Sequence, residues 1–305
     1  MFSFLGPNES ILAFSIIYSM FALSTFVAIW SGVLSLASVT SAAVAGFGIA
    51  KVQESGPVSV WLIILLALAL GGASAYLISI PLLRLSGHWM ALSSIAVVLI
   101  TRVAVLNLDD ITGGPNGILV PQHFTTMDML IILAVTAYVC ARMRRAKIGM
   151  AAETVREDAA VAASLGIDVT RTQRFMFVVS GMIGGIAGLM LADMNQYINP
   201  DTYYTSLMFL ALAAVVLGGA FHWLGAIVGA TVYTIVPEIT RHFYPEGSEI
   251  VRGAILILII IFLPRGIIDP DRRFAIARLV RRRRNAAADD EPAAGQPLRE
   301  AGSRT

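Results

Sequence analysis

Residues able to do covalent or acid–base chemistry are scarce in this sequence, and their spacing excludes the common catalytic arrangements. The two lysines, Lys51 and Lys147, each follow an alanine, so neither completes the Gly-Lys-Ser/Thr of a phosphate-binding P-loop. One cysteine, Cys140, and four histidines, His88, His123, His222 and His242, are spread along the chain with neither metal-ligand spacing nor a nucleophile–base pair. Cys140 has no second cysteine to pair with and reads as a packed small side chain. What remains is a set of polar residues stranded in apolar surroundings. They are Arg102 ahead of "DDITGGPNG", Asp193 and Glu238 near the ends of apolar runs, and the Ala-rich charged stretch "GMAAETVREDAAVAASLGID" at 149–168. The chain is not read as an enzyme: no catalytic residue and no metal site is expected.

The elements that carry these residues belong in lipid. Apolar residues make up 57% of the chain and charged ones 14%, with mean hydropathy +0.76, outside the range of soluble domains. Apolar segments lie near 11–30, 33–50, 58–80, 89–106, 128–141, 175–193, 207–223, 225–240 and 249–264. Several reach the roughly 20 residues a helix needs to cross a hydrocarbon core of roughly 30 Å. Those near 33–50, 128–141 and 225–240 are shorter and read equally as re-entrant or broken helices sheltered by neighbours. None alternates with the period of a membrane barrel. The fold class is therefore all-α, a polytopic transmembrane helical bundle of about eight or nine helical segments. "MFSFLGPNES" has no basic residue before the first apolar run, so the first segment is expected to stay as an anchor.

Basic residues orient the bundle. Of the 22 Lys and Arg, seven lie between Arg142 and Arg174 and ten between Arg265 and Arg304, which places both regions in the cytoplasm. The connections at 107–127 and 194–206 contain no Lys or Arg and fall on the opposite face. Two regions follow: a transmembrane domain at 1–270 with a cytoplasmic loop at 142–174, and a basic cytoplasmic tail at 271–305. The tail up to Arg284 reads as a short helix on anionic membrane lipids or as a topology-fixing extension, and its Ala-, Pro- and Gly-rich remainder as disordered.

The cytoplasmic loop is long for a compact helical protein. Met150 to Leu165 is dense in helix formers, Gly166 stands where a C-cap glycine ends a helix, and Thr170 with Gln173 has capping-box spacing for the next one. Val155, Ala159 and Ala162 share one face, but alanines offer little surface to bury. This short helix suits close approach by another protein or an ordinary solvated connector. On the other side, Arg102 at the end of an apolar segment needs a partner, which Asp109, Asp110 or a loop carbonyl can supply; snorkelling to headgroups is the alternative. Pairs at small-xxx-small spacing, Gly181 with Gly185, Gly184 with Gly188 and Gly225 with Gly229, allow close helix contact within the chain or between subunits. Ser35, Ser38 and Thr40 either line a polar path or bond back to their own helix.

"GMAAETVREDAAVAA" followed by "SLGIDVTRTQRFMFVVSGMIGGIAGLM" resembles the coupling-loop region of the ABC-type permeases that import branched-chain amino acids, a family also used for urea and related solutes. "ITGGPNGI" (111–118), "SLMFLALAAVVLGGAFHWLGAIVGA" (206–230) and "VRGAILILIIIFLPRGIID" (251–269) agree in order and spacing. The resemblance covers roughly residues 10–270 and is greatest to the subunit that pairs with a second, related permease. It implies that Arg156, Glu157, Asp158, Ala159, Ala160 and Gly166 couple the chain to a cytoplasmic ATPase. It also implies that Ser35, Ser38, Arg102, Thr112, Gly113, Gly114 and Gly117 belong to the pathway and its outer loop.

Further implications are a homologous permease subunit, cytoplasmic ATPase subunits and an extracytoplasmic solute-binding protein as partners, with no nucleic acid. This chain itself would bind no cofactor; ATP and Mg would sit on the ATPase subunits. The location implied is the inner membrane of a bacterium, multi-pass, with a cytoplasmic C-terminus. The sequence departs from the family pattern at Ala37-Ser38, where relatives usually read Gly-His, and at Leu99, where they usually have Glu. Many relatives carry one more N-terminal helix than the segments expected here. These differences touch the substrate: branched-chain or other hydrophobic amino acids, with urea or another small solute as the rival. A stand-alone secondary transporter or channel, and a non-transporting scaffold, are the readings outside the family.

Overall fold

A computed structural model describes residues 6–243 apart from 55, 57 and 86, with side chains from Glu9 to Val236. Every apolar stretch that falls on these residues is helical. The long helices are α1 (Gly6–Trp30), α2 (Ser38–Glu54), α3 (Val60–Leu82), α4 (His88–Asn107), α6 (Thr126–Arg145), α9 (Val169–Asn195), α10 (Thr205–Gly218) and α11 (Trp223–Phe243). Between them lie the one-turn α5 (Asp109–Thr112), α7 (Lys147–Glu157), α8 (Ala159–Ser164), and two short strands, β1 (Ile118–Leu119) and β2 (Tyr197–Ile198). The apolar segment near 249–264 and the basic tail at 271–305 lie outside the described residues.

Five described helices, α1, α3, α4, α6 and α9, are long and apolar enough to cross a membrane, and a sixth span is formed if α10 and α11, bent by 116° at their break, are taken together. The eight long helices among the described residues agree with the expected eight or nine helical segments, and the short segments fare differently from one another. The stretch near 128–141 grows into a 20-residue helix because Thr125 and Asp128 form a reciprocal capping box and Arg142, Arg144 and Arg145 fill its last turn. At 17 residues α2 stays short. It is surrounded by protein, so Ser, Thr and Gly are tolerated where a lipid-facing helix would need Leu or Ile.

Burial separates a central layer from a peripheral one. The spans of α1 and α9 are each 78% buried, against 33% for α3, 22% for α4 and 28% for α6. The peripheral helices turn Trp61, Leu65, Leu77, Ile100, Ile131 and Tyr138 outward, as helices bathed in hydrocarbon do. Glycines set the spacing of the centre. A Cβ on Gly71 of α3 would strike the Gly181 carbonyl and Gly185 of α9, and a Cβ on Gly188 would strike the backbone of Ala42 on α2. Gly218, Gly225 and Gly229 bring α10 and α11 equally close. The small-residue pairs thus serve contacts inside this chain, where close packing replaces the missing hydrophobic effect. Polar rivets add to it: Ser24 Oγ donates to the Ser180 carbonyl and Ser180 Oγ to the Ser24 carbonyl, both at 2.7 Å.

Candidate functional site

Apart from Ser35 and Ser38, the predicted site residues separate to two ends of the bundle, joined by α9, which begins just after α8 and stops just before β2. Its 27 residues span about 40 Å at 1.5 Å per residue.

At one end, the two loops free of Lys and Arg are laced together. Strand β1 pairs antiparallel with β2, Ile118 opposite Ile198 and Leu119 opposite Tyr197. Tyr197 Oη donates to the Asn116 carbonyl at 2.9 Å, and Gln196 Nε2 to Gln122 Oε1 at 2.9 Å. The "TGGPNG" turn owes its shape to three left-handed glycines, Gly113 at φ +70°, Gly114 at +54° and Gly117 at +66°. None can carry a side chain here. A Cβ would strike the Gly117 carbonyl from Gly113, the Asp109 carboxylate from Gly114 and the Ile198 carbonyl from Gly117. Thr112, buried, donates to the carbonyls of Val105 at 2.6 Å and Leu108 at 2.8 Å and accepts from Gly114 N, tying the turn to the end of α4.

Arg102 does find a carboxylate, but in the other loop. Its Nη2 and Nε reach Asp201 Oδ1 at 2.8 and 3.0 Å, and its guanidinium lies 4.5 Å over the Tyr204 ring. Asp109 and Asp110, the expected partners, are exposed on α5. The one-turn α5 carries them away from α4, while the β1–β2 ribbon draws 196–204 across to it. Asp201 is the lone acidic residue in 194–206. Pooling the charges of both basic-free loops would have added it to Asp109 and Asp110 as a candidate.

Ser35 and Ser38 lie inside the bundle, where α1 turns into α2. Ser35 Oγ accepts from Ala37 N at 3.2 Å, Ser38 Oγ pairs with Thr25 Oγ1 at 3.2 Å, and Thr101 of α4 donates to Thr40 at 3.3 Å. Asp193 is fully buried and receives the backbone N–H groups of His123 at 2.6 Å and Phe124 at 3.1 Å. Its carboxylate is therefore committed to shaping the chain between β1 and α6. Glu238 lies on α11 beyond the described side chains.

At the other end, the charged stretch forms two helices in place of the single one expected from Met150 to Leu165. The break is at Asp158, whose backbone is extended (φ −156°, ψ 109°) and whose Oδ1 caps α8 by accepting from Ala160 N at 2.8 Å and Val161 N at 3.1 Å. An aspartate inside a helix-forming run is a cap waiting for a start, and here it outweighs the propensity of its neighbours. α8 stops in a Schellman arrangement: Ile167 N bonds the Ala162 carbonyl at 3.1 Å and Gly166 N the Ala163 carbonyl at 3.0 Å. Gly166 has φ +80°, the left-handed conformation its place demands. The next helix is capped by Asp168, which accepts from Arg171 N at 2.9 Å, so Thr170 lies inside the first turn and its expected capping box with Gln173 is not formed.

Faces differ accordingly. Gly149, Ala152 and Val155 of α7 and Ala162 of α8 point inward, whereas Glu157, Asp158, Ala159, Ala160 and Gly166 are exposed. Ala159 therefore does not share a face with Val155 and Ala162 as their spacing predicts, because the break at Asp158 rotates α8. Arg156 also turns inward. Its Nη1 donates to the Ala220 carbonyl at 2.7 Å and its guanidinium stacks 4.7 Å over Phe221. Burial lowers its pKa from the usual value while Glu157 and Glu153 oppose that shift, and a guanidinium stays charged regardless. Among the described residues no group of three or more His, Cys, Asp or Glu is placed to hold a metal ion.

The chain matches the family model described as branched-chain amino acid transport system / permease component over residues 8–260. It is 26% identical over 277 residues to the high-affinity branched-chain amino acid transport system permease protein LivM of Salmonella typhimurium, covering 79% of this chain and 65% of that protein. To the corresponding LivH of Escherichia coli it is 30% identical over 140 residues, 46% of this chain and 44% of the relative. A probable LivH of Methanocaldococcus jannaschii is 28% identical over 174 residues, 54% and 52% of the two chains. The chain thus spans less than two thirds of the length of these curated relatives. No solved structure matches it. With its all-α bundle, glycine-packed centre and family match over most of its length, the chain belongs to the permease-component family of branched-chain amino acid transport systems.

Proposed function

We propose that this chain is the membrane permease subunit of an ATP-binding-cassette importer for branched-chain or other hydrophobic amino acids. It works in the inner membrane of a bacterium with its C-terminus in the cytoplasm. A homologous permease completes the pathway, an extracytoplasmic binding protein delivers the solute to the β1–β2 end, and ATPase subunits carrying ATP and Mg dock at the α7–α8 end. The observation that carries this reading is the α7–α8 segment itself. It is a capped, Gly-terminated pair of short helices whose outer surface, Glu157 to Ala160, is small and exposed while its inner face is packed into the bundle. A rigid element of that kind can receive a push without deforming.

The test is uptake into vesicles reconstituted with the chain, its partner permease, the ATPases and the binding protein. Leucine, isoleucine or valine should accumulate with ATP and stop accumulating when the ATPase is inactivated. Concentrative uptake by this chain alone on a proton or sodium gradient would overturn the proposal. Urea accumulation at the expense of the amino acids would keep the machine and change its cargo.

A further inference from the structure

Arg156 lies on the segment assigned to meet the ATPase, yet its guanidinium points the other way, into the bundle. Two separate elements converge on it. Its Cα packs against Gly32, left-handed at φ +76°, where an added Cβ would lie 3.3 Å from Arg156 Cα, so the turn after α1 closes directly on the α7 backbone. Its Nη1 holds the Ala220 carbonyl at 2.7 Å, and its plane covers Phe221 at 4.7 Å. Ala220 and Phe221 sit in the break between α10 and α11, just after Gly219 at φ +103°, where the chain turns through 116°.

This contact is built for one side chain. A guanidinium can donate to a carbonyl from its edge while its face stacks on a ring; an ammonium can do only one of these well. Neither Glu157 nor Asp158, the exposed acids beside it, is its hydrogen-bond acceptor. The recipient is also a body that can move as a unit, because α10 and α11 touch backbone to backbone through Gly218, Gly225 and Gly229.

We propose that Arg156 is a positioning residue that carries displacement of the α7–α8 segment to the α10–α11 bend, making the bent pair the first membrane element moved by the ATPase. The proposal rests on the reading of α7–α8 as the docking segment and adds the route by which the push enters the membrane. Gly32 keeps the path short by letting α7 approach the end of α1 without a side chain between them.

The experiment uses the full reconstituted complex with nitroxide labels introduced on Met150→Cys with Leu224→Cys, and separately on Met150→Cys with Leu62→Cys; Met150 is exposed on α7 and lies outside the Glu157–Ala160 surface. Distances are measured without nucleotide and with ATP trapped. The 150–62 distance should shift with nucleotide while the 150–224 distance stays constant, because segment and bend travel together. In Arg156→Ala and in Phe221→Leu the 150–224 distance should become nucleotide-dependent, and uptake per ATP hydrolysed should fall about tenfold, the scale of one lost charged hydrogen bond. Arg156→Lys, which retains the charge and loses the stack, should fall between. If the 150–224 distance changes in the labelled complex with Arg156 in place as much as in Arg156→Ala, Arg156 transmits nothing and the docking reading survives. If the 150–62 distance ignores nucleotide, the docking reading fails first and the proposal falls with it.

Discussion

Arg102, near the end of α4, and Asp201, in the loop before α10, meet through two hydrogen bonds, 2.8 and 3.0 Å, both to Asp201 Oδ1. The pair clamps the end of α4 to the segment leading into α10, and Tyr204 stacks beneath the guanidinium. Apart from this clamp, α4 is held to the bundle by the buried Met90, Val98 and Val105 and by small polar contacts such as Thr101 to Thr40 at 3.3 Å and Leu36 N to Ser94 Oγ at 3.1 Å.

Arg102→Leu should insert normally and transport several-fold less well. Asp201 is 65% exposed on its side chain, so water screens the pair and its coupling should be only about 0.5–1 kcal/mol, with the stack on Tyr204 adding a similar amount. A double-mutant cycle with Asp201→Asn measures the first of these, and Arg102→Lys should retain part of the function. Equal transport by wild type and Arg102→Leu would reduce the residue to an interfacial anchor.

Gly166 offers a cleaner test of the α7–α8 segment. No atom lies within 4 Å of where its Cβ would be, so a substitution meets only the backbone strain of φ +80°. Gly166→Val should cost about 1–2 kcal/mol locally and loosen the Schellman stop, whereas Gly166→Asn, a residue that tolerates the left-handed region, should cost less. Uptake per ATP should follow that order, Gly above Asn above Val, with membrane insertion unchanged. Identical ratios in all three would separate the conformation of this glycine from coupling.

Much of this architecture is legible in residue types alone, because lipid imposes a simple rule: a long apolar run must be a helix. The helices, the two polar ends and the need for a partner at Arg102 all follow from it. What escaped was decided by local competition or by distance in sequence. Asp158 splits a run of good helix formers because its side chain caps better than it propagates, and Asp168 takes the capping role from Thr170 in the same way. Thr125 and Asp128 lengthen α6 by a capping box that a hydropathy profile does not register. Asp201 and Phe221 are found only when the bundle folds, since β pairing and the 116° bend bring them to arginines 99 and 65 residues away.

The glycine contacts predict where the bundle will not accept side chains. Gly185→Leu would drive a side chain into Ala67 and Gly71 of α3, and Gly188→Leu into Ala42 of α2. Each should destabilise the purified protein by about 1–3 kcal/mol or more, since overpacking at a backbone contact has no flexible neighbour to yield. Thermal unfolding in detergent should show a marked drop for both. Leu at the outward-facing Val135, 57% exposed on α6, should leave the transition unmoved. Tolerance of Leu at 185 would mean that α3 and α9 do not touch as closely as described.

Asp193 decides between an ATP-driven permease and an ion-coupled transporter. An acid buried near the end of a membrane helix is where a proton or sodium carrier would be sought, but this carboxylate accepts the backbone N–H groups of His123 and Phe124 with its two oxygens. Asp193→Ala would leave both donors unpaired, the buried Phe124 N–H at about 1–3 kcal/mol and the part-buried His123 N–H at less, and should lower folded yield sharply. Asp193→Asn keeps one carbonyl acceptor and the shape, so the folded fraction should transport with its energy source and ion independence unchanged. The measurement is initial uptake rate at fixed ATP across proton and sodium gradients of either sign. Loss of gradient-driven uptake in Asp193→Asn, in a protein that still folds, would mean that the carboxylate carries ions rather than a loop.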